Sequence, residues 1–252
     1  VDALPRHSSG SGPLSLADDA VDVWLAFDAN FQAQEVQAEF ATLLTPDDVG
    51  RMQRLHAESG RRQFALTRAL QRTVLSAYAA EVPPGQWQFQ SSVEGRPSLA
   101  PPFDRTGLNF NIAHTGGLVA MAVCRHAAVG VDVEKLGRAP LAVVERYFSP
   151  AEAAQLRALP PDAQPRRFLR LWTLKEAYLK AVGTGLAGGL GRMGFMFESA
   201  ERFHFERADD ADAARWQFHQ FEFGADHVLA LAVLPRGGDA RLEVTLREFR
   251  AR

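Results

Sequence analysis

The sequence predicts an α+β fold, a pseudo-dimer of two similar halves, each with helices packed on a small, mostly antiparallel sheet. Three observations carry that expectation. Helical patterns lie early in each half, segments with the two-residue strand period close each half, and Gly- or Pro-containing turns separate them. No sequence identity between the halves is visible, so their likeness rests on the order of elements alone. With 46% hydrophobic and 23% charged residues, the 252-residue chain has the apolar content that a buried core requires.

Residues 1–14, with H-S-S-G-S-G-P at 7–13, read as a flexible tail outside the fold. Val21 to Phe27 reads as a strand. Thr45-Pro46-Asp47-Asp48 combines an N-cap, a first-turn proline and acids matched to the helix dipole. The helix it opens is expected to reach about Ala80, with a break near Ser59-Gly60. Pro83-Pro84-Gly85 then turns the chain into a strand at Trp87 to Gln90, and two more strands, Leu108 to Ile112 and Leu118 to Arg125, flank a Gly116-Gly117 turn.

The second half begins with a strand at Val129 to Glu134. Ser149-Pro150-Ala151-Glu152 is a capping box, and a further helix spans about Arg166 to Val182. Five β-like segments follow: Phe195 to Glu198, Arg202 to Glu206, Trp216 to Phe223, Val228 to Leu234 and Leu242 to Phe249. The expected division is therefore 15–127 and 128–252.

Composition also narrows function. A formal net charge of -2 argues against a general nucleic-acid binder, so an anionic ligand must be held locally. No apolar stretch approaches the roughly 18 residues of a membrane span, and no charged segment followed by an apolar one opens the chain. The single Cys124, inside L-V-A-M-A-V-C, excludes a disulfide within one chain and fits a reducing compartment. A cytoplasmic monomer is the expectation.

Four blocks carry chemistry. In V-G-V-D-V-E, residues 129–134, the strand period puts Asp132 and Glu134 on one side, where two carboxylates repel unless a hard cation joins them. Alone, such a pair is usually just solvated. In W-T-L-K-E-A-Y-L-K, residues 172–180, Trp172, Glu176 and Lys180 share a helical face, and Glu176 with Lys180 has the spacing of an ordinary local ion pair. The tryptophan at its head would draw Glu176 inward. F-N-I-A-H-T-G-G, residues 110–117, ends a strand at His114, beside glycines that allow close backbone approach by a ligand. E-G-R-P, residues 94–97, is a turn followed by an extended segment.

In this order and spacing the four blocks, joined by R-Y-F-S-P-A-E at 146–152, resemble the 4'-phosphopantetheinyl transferases of the double-length, surfactin-synthetase (Sfp) type over about Arg51 to Gly185. The resemblance implies an active site in the cleft between the halves, with coenzyme A as co-substrate, Mg2+ or alternatively Mn2+ as cofactor, and an acyl or peptidyl carrier protein as partner. It implies Asp132, Glu134 and Glu176 as metal ligands, and Glu176 with Lys180 as catalytic. Coenzyme A contacts are implied at Arg51, Arg54, Arg62, Arg96, Pro97, His114 and Lys180. Arg138, Arg146, Arg157, Arg166 and Arg167 are candidates for meeting the acidic carrier.

Two departures stand out: Ala113 replaces the serine usual before the histidine, and Gly183-Thr184-Gly185-Leu186 follows the pattern while Ala187-Gly188-Gly189-Leu190-Gly191 does not. A phosphodiesterase and a non-catalytic coenzyme A-binding module are the competing readings. The first lacks a denser acid or histidine cluster, and the second is disfavoured by the presence of all three acids.

Overall fold

The computed structural model describes residues 6–8, 12–137, 141–185, 189–199, 202–224, 226–237 and 241–250. The chain divides into two compact units, Val1–His126 with Leu242–Arg252, and Ala127–Arg241. Both combine one long helix with a small sheet, as the α+β expectation has it.

In the first unit, β1 (Arg6–Ser8) and β2 (Ala20–Phe27) precede three helices, α1 (Gln34–Ala41), α2 (Pro46–Gln53) and α3 (Glu58–Tyr78). The short hairpin of β3 (Phe89–Ser91) and β4 (Pro97–Leu99) leads to β5 (Leu108–Thr115) and β6 (Leu118–Arg125). Thr45 and Asp48 cap α2 reciprocally, through Asp48 N to Thr45 Oγ1 at 3.2 Å and Thr45 N to Asp48 Oδ2 at 3.2 Å. The break between α2 and α3 falls at residues 54–57, and Gly60 lies inside α3. Arg61 explains the position: its Nη1 donates to the carbonyls of Leu55 (2.8 Å) and His56 (3.0 Å), satisfying backbone groups that a helix would otherwise use.

Leu66, Ala69, Leu70 and Val74 of α3 follow the helical period. They share one core with Trp24 and Ala26 of β2, Val119, Met121 and Val123 of β6, and Phe110 of β5, which follow the strand period.

Two expectations about chain ends are corrected. The last strand, β12 (Glu243–Arg250), joins the first unit and not the second, in a sheet of order β1-β12-β2-β6-β5, where it runs parallel to β1 and β2. Phe249 explains this: it is fully buried, with its ring centroid 5.7 Å from Phe31 and 6.3 Å from Phe40. Arg247 adds a 2.7 Å bond from Nε to the buried Asp22. Arg6–Ser8 pairs with Glu248–Arg250, and Leu14 N donates to Ala77 O at 2.7 Å, so residues 1–14 do not all lie outside the fold.

The second unit opens with β7 (Ala128–Lys135), followed by α4 (Val144–Tyr147), α5 (Pro150–Arg157) and α6 (Gln164–Val182). The hairpin β8 (Gly194–Phe197) and β9 (Phe203–Glu206) comes next, then β10 (Gln217–Phe223) and β11 (His227–Leu234). The sheet is antiparallel, in the order β10-β11-β7. Helix α6 lies on β7 and β11. Its near approach has a sequence cause: Gly130, Ala230 and Ala232 sit on one face of the sheet, Gly130 opposite Ala232 and Asp132 opposite Ala230, and the small alanines pack in the α6 core.

Among the described residues, no helix is long and apolar enough to cross a membrane.

Candidate active site

Close packing of α6 on β7 builds the acidic site of the second unit. A Cβ placed on Gly130 would meet the Ala177 carbonyl oxygen at 2.0 Å and Ala181 N at 2.5 Å, so only glycine lets the helix backbone come this near. Two residues along β7, on the same face, Asp132 is 5% exposed. Lys180, in the last turn of α6, donates from Nζ to Asp132 Oδ1 at 2.6 Å. The sequence left a local Glu176–Lys180 pair open; the ammonium goes instead to the strand.

Glu176 keeps Oε1 buried with no hydrogen-bond partner among the described residues. Burial first, and then the charge of Asp132, push its pKa up to about 7, with Glu134 adding to the shift and Lys180 opposing it. These couplings show that Asp132, Glu134, Glu176 and Lys180 share one electrostatic neighbourhood. As the side chains lie, no group of three His, Cys, Asp or Glu among the described residues is gathered to hold a metal ion. The donor set nevertheless fits Mg2+, which typically takes one or two carboxylates and completes its shell with water and substrate phosphate. A buried carboxylate oxygen without a hydrogen-bond partner is a ligand that such a cation would satisfy.

Lys175, next to Glu176, does a different job that the sequence reading missed. It is fully buried and pairs with Glu152 Oε2 at 2.7 Å. Its Nζ also donates to the carbonyls of Leu190 (2.7 Å), Met193 (2.8 Å) and Tyr147 (3.2 Å). Glu152 in turn accepts from Ser149 N at 2.7 Å and Phe195 N at 2.8 Å. The capping box at Ser149 was legible; that its glutamate is also the counter-ion of a buried lysine was not.

In the first unit, Arg51 and Pro97 line a cavity of about 550 Å3 together with Arg68, Arg72, Asp47, Asp48 and Trp87. Asp48 carries two guanidiniums, Arg68 Nε at 3.1 Å and Arg72 Nη2 at 3.0 Å, and Arg51 pairs with Asp47 at 3.0 Å. Arg68 and Arg72, four apart on α3 and facing an acid of α2, went unsingled in the sequence; their i,i+4 spacing was the available signal.

The other predicted residues are spread. Arg54 is exposed at the end of α2, and Arg62 pairs with Asp28 (3.6 Å) and Glu58 (3.9 Å) in a separate cavity lined by Phe31, Phe40 and Leu66. Arg96 follows Gly95, whose φ of 83° makes the tight turn, and burial lowers the pKa of its guanidinium. His114 is exposed near the end of β5, and Ala113 beside it is buried. Arg146 and Arg157 are on α4 and α5, and Arg166 and Arg167 are near the start of α6. Arg138 and residues 186–188 lie outside the described residues.

The model of the 4'-phosphopantetheinyl transferase superfamily matches residues 128–232, and that of the transferase N-terminal region matches 30–126. The chain is 35% identical to the 4'-phosphopantetheinyl transferase HetI of Nostoc sp. over 177 residues, covering 69% of this chain and 73% of that protein. The chain belongs to the 4'-phosphopantetheinyl transferase superfamily.

Other relatives in the superfamily include the phosphopantetheinyl transferase of Thraustochytrium sp., 26% identical over 87% of this chain and 81% of its own length. The 4'-phosphopantetheinyl transferase Sfp of Bacillus subtilis is 28% identical over 62% of this chain and 67% of its own. The superfamily match spans β7 through α6, and with them all four residues of the acidic site.

Proposed function

We propose that this transferase works with a magnesium ion held by Asp132, Glu134 and Glu176. The reaction moves the phosphopantetheine group of coenzyme A to a carrier protein. In the finer reading, the acceptor is a serine hydroxyl of an acyl or peptidyl carrier, and 3',5'-ADP leaves. The observation that carries the metal assignment is Glu176, whose Oε1 is buried without a partner beside Asp132 and Glu134 in the part of the chain that matches the superfamily.

When bound, the cation supplies positive charge to the diphosphate and stabilises the oxygen on which charge grows. The rest falls to side chains. Lys180 is assigned to the same phosphates, and its ammonium stabilises the leaving oxygen as the bond from phosphorus to 3',5'-ADP breaks. The serine oxygen forms the new bond to the phosphorus that bears the pantetheine arm, and its proton passes to Glu176. A cation beside Glu176 favours its charged form, which is the form that accepts the proton. Arg51, Arg54, Arg62, Arg96, Pro97 and His114 are assigned to coenzyme A, with Arg51 toward the 3'-phosphate. For Arg51 the support is the cavity it lines with Pro97, Arg68 and Arg72.

Mass spectrometry of an apo carrier domain incubated with coenzyme A and Mg2+ tests the function. The expected result is a gain of one phosphopantetheine per carrier. Nucleotide release without carrier modification would point to hydrolysis.

A further inference from the structure

We propose that Lys180 is a latch on Asp132: without metal its ammonium occupies the carboxylate that the cation needs, and the phosphates of coenzyme A draw it off. The inference rests on the metal assignment above and adds an order of events to it. The Nζ to Oδ1 distance is 2.6 Å, and the two side chains are only 30% and 8% exposed, so this contact is drier than an ordinary surface pair. Lys180 has Glu176 one turn away at the favourable Glu-to-Lys spacing, yet its ammonium is on Asp132. Beside this pair, Glu176 retains a buried oxygen with no hydrogen-bond partner among the described residues.

A lysine is a compact charge on a flexible four-carbon stem, able to swing between anions without disturbing the backbone. From the last turn of α6 it exchanges one carboxylate for a diphosphate, whose greater negative charge holds it better. Ammonium and divalent cation thus compete for Asp132 until coenzyme A arrives. The protein binds metal weakly alone and more strongly with coenzyme A, and by linkage metal tightens coenzyme A by the same factor.

Calorimetric titration of Mg2+ into the wild type, Lys180→Met and Lys180→Gln, each with and without coenzyme A, tests the latch; two different replacements guard against one failing to fold. Without coenzyme A, both variants are expected to bind Mg2+ about tenfold more tightly than the wild type, a gain that persists between about 0.05 and 0.5 M KCl because a close, partly buried pair is little screened. With coenzyme A present, that advantage disappears. Unchanged or weaker Mg2+ affinity in the variants overturns the latch, as does a gain that vanishes at high salt, which would reflect only a general field. Failure of the underlying metal assignment looks different: no Mg2+ binding to any of the three proteins, even with coenzyme A.

Discussion

Gly130 of β7 lies directly against the Ala177 carbonyl of α6, so close that a Cβ at position 130 would stand 2.0 Å from that oxygen. The contact holds the helix carrying Glu176 and Lys180 at the strand carrying Asp132 and Glu134. Gly130→Ala must push α6 away, because the obstacle is backbone and cannot rotate aside. Overpacking of this kind costs about 1–3 kcal/mol or more. Urea denaturation is expected to show a loss of at least that size, together with a loss of transfer activity larger than the unfolded fraction explains.

The buried Lys175–Glu152 pair predicts a pronounced asymmetry. Lys175→Met leaves the carboxylate of Glu152 uncompensated inside the second unit and removes donors from three carbonyls, for an expected cost of about 3–5 kcal/mol. Burial already lowers the pKa of the ammonium, with Glu152 opposing that shift. Replacing the exposed Lys135, whose partner Asp226 is also exposed, is expected to cost less than about 1 kcal/mol. Comparison of the two midpoints in one denaturation series checks this.

Much of this site was legible in the sequence, because strand alternation alone put Asp132 and Glu134 on one side and helical spacing put Glu176 and Lys180 on one face. The N-cap at Thr45 and the capping box at Ser149 were also legible, since their signals are local. What stayed hidden depends on contacts between distant residues. Helical spacing offers Lys180 a partner at Glu176 but cannot reveal Asp132, 48 positions away. A lysine in an amphipathic helix reads as surface, so Lys175 gave no sign of its burial. The last strand was found, but the strand period does not say which sheet it joins; the choice was made by Phe249 and Arg247. Helix α1 escaped because, among its described side chains, Phe40 alone is buried, too little for a periodic signal.

The raised pKa of Glu176 predicts a pH dependence in the metal-free protein. A carboxyl with a folded pKa of about 7 against an ordinary value of 4.5 binds more protons folded than unfolded between those values. Its contribution to stability is therefore full below about pH 4.5 and is lost as pH rises toward 7. Glu176→Gln is expected to flatten that part of the stability profile and to raise the melting temperature of the metal-free protein at pH 8. Added Mg2+ is expected to stabilise the wild type more than the variant. A profile unchanged by the substitution contradicts the burial and like-charge origin of the shift.

Arg51 predicts a specificity effect. If its guanidinium meets the 3'-phosphate, Arg51→Gln raises the KM for coenzyme A about tenfold, the scale of one charge-assisted contact, and leaves the KM for 3'-dephospho-coenzyme A nearly unchanged. Equal increases for both substrates remove Arg51 from that role.

For catalysis, Asp132→Asn is expected to lower the rate of carrier modification by about two to three orders of magnitude while the far-ultraviolet spectrum stays that of the wild type. Full transfer activity in this variant is incompatible with the assignment.

These roles all depend on where the divalent ion sits, and anomalous scattering from a crystal grown with coenzyme A and Mn2+ locates it. A single strong peak is expected at about 2.0–2.3 Å from carboxylate oxygens of Asp132, Glu134 or Glu176 and from diphosphate oxygens of coenzyme A. A peak bound to coenzyme A but reached by none of these three acids would contradict it.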